Sequence, residues 1–155
     1  MLTLFLNYMA LLEKHLLVKR SKIPLSGKGL FTTCDIKKGA FIVEYKGVVT
    51  TWKKIQQSKV FNAYVYYINR NHVIDATPYK QYLGRYANDA NGITRLKGIT
   101  NNCTYTIKDN KVFIKAIKNI VAGEEILVSY GKEYWDIIKY NNRLKKKTNK
   151  QDRIQ

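Results

Sequence analysis

A chain of 155 residues, 45% of them hydrophobic, holds enough apolar material for one core, so a single domain with short appendages is expected. Its two cysteines, Cys34 and Cys103, exclude a disulfide framework and a cysteine-rich zinc cluster, and read as reduced thiols. Lys and Arg number 28 against 11 Asp and Glu, a net charge of +17 that fits a polyanionic partner or a lysine-rich composition throughout.

The chain opens on an apolar stretch, Leu2 to Leu12, that ends at Glu13-Lys14-His15. It lacks the leading basic residues and small-residue cleavage site of a secretory signal, and no run approaches the roughly 18 apolar residues of a membrane span. It reads as a short packing helix on a cytoplasmic protein with no membrane partner. Short strand-like runs follow at Leu16-Leu17-Val18, Phe41 to Tyr45, Tyr64 to Ile68, Val73-Ile74 and Tyr105 to Ile107. Turn signals separate them at Ser26-Gly27-Lys28-Gly29, Lys38-Gly39 and Asn69-Arg70-Asn71. Asp109-Asn110 predicts a hairpin joining residues 103–107 to Lys111–Ala116. Thr50-Thr51 offers a cap for a helix beginning at Trp52, and Glu133 to Leu144 has the period of a terminal helix. The result is a mainly β chain of several small sheets.

Residues 84–102 contain four Asn and three Gly with little periodicity, a length unusual for an idle connection and more typical of a functional loop. The basic tail from Arg143 to Arg153 carries six cations against Asp152, and most of the charge stays on the body. His15 and His72 have no partner motif and read as ordinary residues.

Four segments carry the chemistry. Ser26-Gly27-Lys28-Gly29-Leu30-Phe31 is a Gly-x-Gly turn where backbone can approach a ligand, but it has neither the third glycine of a dinucleotide fingerprint nor a P-loop Gly-Lys-Ser/Thr. Glu44-Tyr45-Lys46-Gly47 ends a strand. Arg85-Tyr86-Ala87-Asn88-Asp89-Ala90-Asn91 is a polar segment suited to a buried ligand or to bracing a crossing of chain segments. Gly123-Glu124-Glu125-Ile126-Leu127-Val128-Ser129-Tyr130-Gly131 runs from a turn through an apolar strand to a tyrosine.

In this order and spacing the four segments resemble the SET domain of protein-lysine methyltransferases, from about Leu17 to Trp135, and most closely the minimal viral and bacterial members without cysteine-rich flanking domains. The resemblance implies a SET-type fold with a knot-like chain crossing, short helices and a C-terminal helix. It divides the chain into an appendage at 1–16, a SET domain at 17–135, and a helix with basic tail at 136–155. It also implies transfer of a methyl group from S-adenosyl-L-methionine to a lysine of a protein, such as a histone or another DNA-associated protein. Gly27, Lys28, Gly29, Leu30, Tyr64, Arg85, Asn88, Asp89, Tyr130 and Trp135 would then bind the cofactor, with Asn88 on its amino-acid end and Trp135 over its adenine. Tyr130, Tyr45 and Tyr64 would be catalytic, lining the lysine channel and orienting its nitrogen. No metal site is implied.

Asp89 departs from the pattern, standing where the family usually has histidine, and residues 91–100 look like an insertion before Asn101-Asn102-Cys103. If turnover were lost with that histidine, the chain would be a catalytically weak peptide- or nucleic-acid-binding module on the same fold. A basic protein stacking bases on its tyrosines is a third reading, weakened by the absence of an RNA-binding signature. Partners are a lysine-bearing protein, DNA through the basic surface and tail, and a second copy in a homodimer; a viral or secreted source would move the site of action to a host nucleus. Because a +17 chain repels a lysine-rich substrate, an acidic cleft of Glu44, Asp75, Asp89, Glu133 and Asp136, or a substrate held on DNA, is expected. In the family, the position two residues before the final tyrosine can help set the methylation state. Here it is Val128, which has no hydroxyl to anchor a water, and the expectation is di- or trimethylation.

Overall fold

The computed structural model describes residues 11–58, 63–92 and 94–151, the last four by backbone alone. In chain order a 3-10 turn at Glu13–His15 leads to β1 (Leu16–Arg20), β2 (Lys28–Thr32), β3 (Phe41–Glu44), β4 (Val48–Thr50), α1 (Trp52–Gln57), β5 (Val65–Asn69) and β6 (His72–Asp75). A second 3-10 turn at Leu83–Tyr86 precedes β7 (Cys103–Lys108), β8 (Lys111–Ala116) and the C-terminal helix α2 (Lys132–Gln151). The strands form three small antiparallel sheets, β1-β2, β3-β8-β7 and β4-β6-β5.

Local chemistry accounts for most boundaries. Asp109 and Asn110 both adopt positive φ, 51° and 58°, the conformation a two-residue hairpin needs, and they set the Lys108–Lys111 register of β7 and β8. The side chain of Thr51 accepts from the Lys54 amide and caps α1; Thr50, the other candidate cap, belongs to β4 instead. Three elements depart from the expectations drawn from sequence. Lys28 and Gly29 already pair in β2, so the turn is confined to the residues before them, where Leu25 and Gly27 take positive φ. Val48–Thr50 is a strand because the edge of β6 lies open to it. Helix α2 runs past Leu144 to Gln151. Most of the expected N-terminal helix lies outside the described residues. Within them, Leu12 docks on the main core and its amide bonds to the Ile42 carbonyl.

The main core joins Leu30 of β2, Ile42 and Val43 of β3, Ile114 of β8 and the segment containing Ile126 and Val128. That segment makes the expected crossing. The Val128 amide bonds to the Asn88 carbonyl, while the Cys103 and Asn102 amides bond to the Leu127 carbonyl. The chain near its C-terminus is thereby paired with two earlier segments, and the side chain of buried Asn102 completes the joint by donating to Glu125 O and accepting from Leu127 N. A second cluster of Tyr45, Ile74, Ala76 and Val112 supports Tyr66, Ile68 and Tyr105. Among the described residues, no helix is long and apolar enough to cross a membrane.

Candidate active site

The crossing gathers the motif segments around two adjoining hollows. Gly27 closes its turn at φ 67°, which a side chain rarely adopts. Gly29 is required for a different reason: a Cβ there would lie 2.2 Å from Glu125 Oε1. Glu125 is buried and receives the Ser21 hydroxyl at 2.6 Å, the Lys22 amide at 2.8 Å and the Asn88 amide group at 3.2 Å. Asn88 Nδ2 also donates to the Lys28 carbonyl at 2.9 Å. Glu125, at the start of the last strand segment, and the polar segment therefore clamp the Gly-x-Gly loop in place.

Arg85 sits on the 3-10 turn, which Gly84 lets approach β3, since a Cβ at Gly84 would stand 2.8 Å from the Glu44 carbonyl. Its Nη1 donates to the carbonyls of Ala76 and Thr77 at 3.0 and 2.9 Å, and its guanidinium carbon lies 4.0 Å from the centre of the Tyr64 ring. Its Nε is buried without a hydrogen-bond partner. An orphaned N–H on a buried cation is costly unless an anion or polar ligand meets it.

The Tyr130 hydroxyl donates to the Ala87 carbonyl at 2.6 Å, and the Tyr45 hydroxyl to the Tyr64 carbonyl at 2.8 Å. Both phenol protons are committed to backbone, and each oxygen is left to accept. The Tyr130 ring stacks on Trp135, 5.9 Å away and 14° from parallel, and meets Tyr134 edge-on at 4.9 Å. Tyr45, Tyr66 and Tyr105 form a second aromatic group with centroids 4.9 to 6.1 Å apart. Burial pushes the hydroxyls of Tyr45, Tyr66, Tyr105, Tyr130 and Tyr134 above the ordinary tyrosine range. They are neutral phenols at physiological pH, and none is a base.

One hollow, about 360 Å³, is walled by Tyr45, Tyr64, Tyr66, Tyr105, Tyr130 and Tyr134. The other, about 500 Å³, lies along Gly27, Lys28, Tyr64, Arg85, Asn88, Tyr130, Tyr134, Trp135 and Ile138. They share Ala63, Tyr64, Arg85, Tyr130 and Tyr134, so the two open onto one another at the tyrosine that ends the last motif.

Seven of the expected cofactor residues line the second hollow: Gly27, Lys28, Tyr64, Arg85, Asn88, Tyr130 and Trp135. Three do not. Gly29 packs on Glu125, Leu30 is wholly buried in the main core, and Asp89 turns its carboxylate inward to four N–H groups. Both amide hydrogens of Asn88 go to protein groups, so its part is to fix the loop, with only its oxygen left for a ligand. Val128 has no exposed surface and lines neither hollow; it is core, and the methylation state does not follow from it. The acidic cleft is also absent among the described residues, because the charged groups lining the hollows are Lys28, Lys80 and Arg85. His15 and His72 line neither.

Tyr66, Tyr105 and Tyr134 were not singled out by sequence pattern. Strand alternation places Tyr64 and Tyr66 on one side and sends Tyr67 to the other, where it meets Trp52. Tyr134 follows Tyr130 by one helical turn across the α2 boundary. Nothing local marks Tyr105. Among the described residues no cluster of His, Cys, Asp and Glu could hold a metal; Cys103 is buried in the core, its thiol pushed up to about 12 by desolvation, and Cys34 is half-buried.

An aromatic hollow joined to a polar one at a strand-end tyrosine, on small antiparallel sheets with a threaded C-terminal segment, defines a SET-type site. Residues 27–131 match the SET domain family, and the chain belongs to it. It is 31% identical over 127 residues to N-lysine methyltransferase KMT5A of Xenopus tropicalis, a match spanning 74% of this chain and 36% of that protein. N-lysine methyltransferase KMT5A-A of Xenopus laevis is 33% identical over 127 residues, with the same coverage. The chain thus spans about a third of the length of these relatives. Among solved structures, the methyltransferase domain of human PR domain-containing protein 2 superposes with a TM-score of 0.56 at 26% identity, covering 76% of this chain and 77% of that one.

The methyl donor of SET methyltransferases, S-adenosylmethionine, suits this site. The second hollow has the volume of a small-molecule pocket, and the orphaned Arg85 Nε offers a charged donor to the cofactor's carboxylate.

Proposed function

We propose that this chain is a protein-lysine methyltransferase that takes its methyl group from S-adenosylmethionine. The observation that carries the reading is the junction of the two hollows at Tyr64, Arg85, Tyr130 and Tyr134, where a lysine entering the aromatic side would meet a cofactor lying on the other. The second hollow reaches Ile138, three residues past the boundary expected at 135, so the site also draws on the first turns of α2.

The cofactor supplies a sulfonium-bound methyl group, which makes the transfer a displacement needing alignment more than acid-base help. The chain's residues provide that alignment. Aromatic walls accept the lysine's alkyl stem and disfavour its ammonium, and the fixed Arg85 cation acts in the same direction by like-charge repulsion. The lysine gives its proton to water, as Tyr45, Tyr66, Tyr105, Tyr130 and Tyr134 are neutral phenols and not bases. Tyr130 and Tyr45 then present oxygens whose lone pairs accept from the amine N–H groups, so the nitrogen lone pair turns toward the methyl carbon. With the donor bound, the N–C bond would form as the C–S bond broke, the C–S electron pair leaving with sulfur. The aromatic walls also tolerate the cationic product.

The basic lining weakens the case for a free lysine-rich tail and favours a lysine on a DNA-associated protein, a histone included, with DNA phosphates attracting Lys139, Arg143 and Lys145 to Lys147 on exposed turns of α2. Isothermal titration with S-adenosylmethionine, followed by mass spectrometry of proteins methylated in lysate from the chain's own source, tests the reading. Cofactor binding without methyl transfer would leave a binding module; no cofactor binding would end the proposal.

A further inference from the structure

The side chain of Asp89 is 3% exposed and receives four N–H groups, two on each oxygen. Oδ2 accepts the Tyr130 amide at 2.8 Å and the Trp135 indole Nε1 at 2.7 Å. Oδ1 accepts the Asn91 amide at 2.8 Å and Asn101 Nδ2 at 2.9 Å. No ion pair holds it among the described residues, so these donors alone compensate its burial.

The placement of the partners matters. Tyr130 and Trp135 lie on either side of Gly131, whose φ of 87° makes the joint between the last strand segment and α2. One oxygen thus fixes the chain before the joint and one turn after it. The other oxygen holds Asn91, the first residue of the apparent insertion, and Asn101, the residue just after it. Trp135 and Ile138 are half-buried, whereas Ile137 and Tyr140 on the neighbouring face of α2 are 49% and 61% exposed. The Trp135 ring rests on Tyr130, and a Cβ at Gly92 would come within 3.5 Å of its edge. A neutral imidazole, with one acceptor nitrogen, could not receive these four donors.

We propose that Asp89 is a positioning residue for the cofactor hollow. By bridging the Gly131 joint it seats the first turns of α2, so that Trp135 and Ile138 form the wall of the hollow that Gly27 and Lys28 face. Asp89 touches neither cofactor nor substrate and acts through Trp135. The assignment of a cofactor to this hollow rests on the function proposed above; the seating of α2 does not.

The test uses the full chain with Trp52→Phe, which leaves Trp135 as the sole tryptophan. Asp89→Asn, Trp135→Phe and the double variant are compared by calorimetry with S-adenosylhomocysteine and by KM and kcat for S-adenosylmethionine. Trp135 emission and amide exchange in α2 are read without ligand. An amide keeps one acceptor and turns two donors toward N–H groups. Asp89→Asn should therefore red-shift the emission, speed exchange in the first turns of α2, and weaken S-adenosylhomocysteine binding by about tenfold, with KM rising more than kcat falls. Trp135→Phe should weaken binding similarly, and the double variant should be far less than additive. Wild-type emission, exchange and affinity in Asp89→Asn would overturn the proposal, and so would full additivity. If Asp89→Asn fails to fold, Trp135→Phe decides, since an unchanged affinity there removes the indole bond from the site. A parent chain that binds no S-adenosylhomocysteine would defeat the cofactor reading, while emission and exchange would still judge the seating of α2.

Discussion

The Tyr130 hydroxyl donates its proton to the Ala87 carbonyl at 2.6 Å, which ties the strand-end tyrosine to the polar segment it crosses. The bond fixes the direction of the phenol's lone pairs before any substrate arrives. It also satisfies a carbonyl that the crossing would otherwise leave without that partner.

Tyr130→Phe should therefore have two separable effects. Methyl transfer should fall by about 100-fold, because the oxygen acts on alignment at the transition state. Stability should fall by about 1–2 kcal/mol, because the Ala87 carbonyl is left without its donor. Single-turnover kinetics and urea melts measure the two, with cofactor affinity serving as the control. A Phe variant with full turnover would remove the hydroxyl from the mechanism.

Val128→Tyr should not shift the number of methyl groups transferred. It should prevent stable folding, since Val128 has no exposed surface and sits in the main core beside the crossing, where added volume forces displacement of the backbone. Solubility and circular dichroism check this. A folded, active Val128→Tyr chain with an altered product would place the side chain in the channel after all.

What the sequence made legible was local or motif-bound. The 103–116 hairpin could be read because alternation and the Asp109-Asn110 turn are both short-range, and the Thr51 cap for the same reason. The four motif segments located Tyr45, Tyr130, Arg85 and the Gly27 turn. The fate of Val128 and Leu30 was hidden because an apolar residue next to a motif can face either a channel or a core, and the crossing of distant segments decides which. Tyr105 was hidden likewise, for it enters the channel only because β7 pairs with β8 and the Tyr45 and Tyr66 rings close over it. By residue type alone Asp89 is a tolerable stand-in for histidine. Its four donors come from residues 91, 101, 130 and 135, and no local pattern joins those positions.

The buried tyrosines predict an alkaline limit to stability. Tyr45, Tyr105 and Tyr130 have raised values in the folded chain, chiefly through desolvation, while in the unfolded chain they titrate near 10. Below pH 10 both states hold these protons and stability is independent of them. Above it the unfolded state releases protons that the folded state keeps, so stability falls as pH rises, by about 1.4 kcal/mol per pH unit for each such group until its folded value is reached. Urea melts at pH 8, 10 and 11 should show a first loss by pH 10, from the Cys103 thiol that burial holds protonated, and a steeper one in the last interval, which Tyr105→Phe should shrink. An equal slope in Tyr105→Phe would mean that this phenol titrates normally in the folded chain.

Truncation after Asn142 tests the partner of the basic helix. It removes Arg143, Lys145, Lys146, Lys147, Lys150 and Arg153 with one acid, Asp152, but spares Trp135 and Ile138, which line the cofactor hollow. Every cation among residues 143–147 is exposed, so these side chains are placed to meet phosphates and do not hold the fold. For each DNA phosphate that the shortened helix no longer neutralises, the log-log salt slope of binding should shrink in magnitude by about 0.9. The truncated chain should therefore bind duplex DNA more weakly at low salt and converge with the full chain at high salt. Its affinity for S-adenosylmethionine and its rate on a free peptide should stay close to those of the full chain, while its rate on a DNA-bound substrate should fall with the affinity. Fluorescence anisotropy across a salt series, run beside methylation of free and DNA-bound substrate, separates the effects. Identical salt slopes for the two chains would show that α2 beyond Asn142 meets no phosphates, and DNA would then have to be held by the body of the domain.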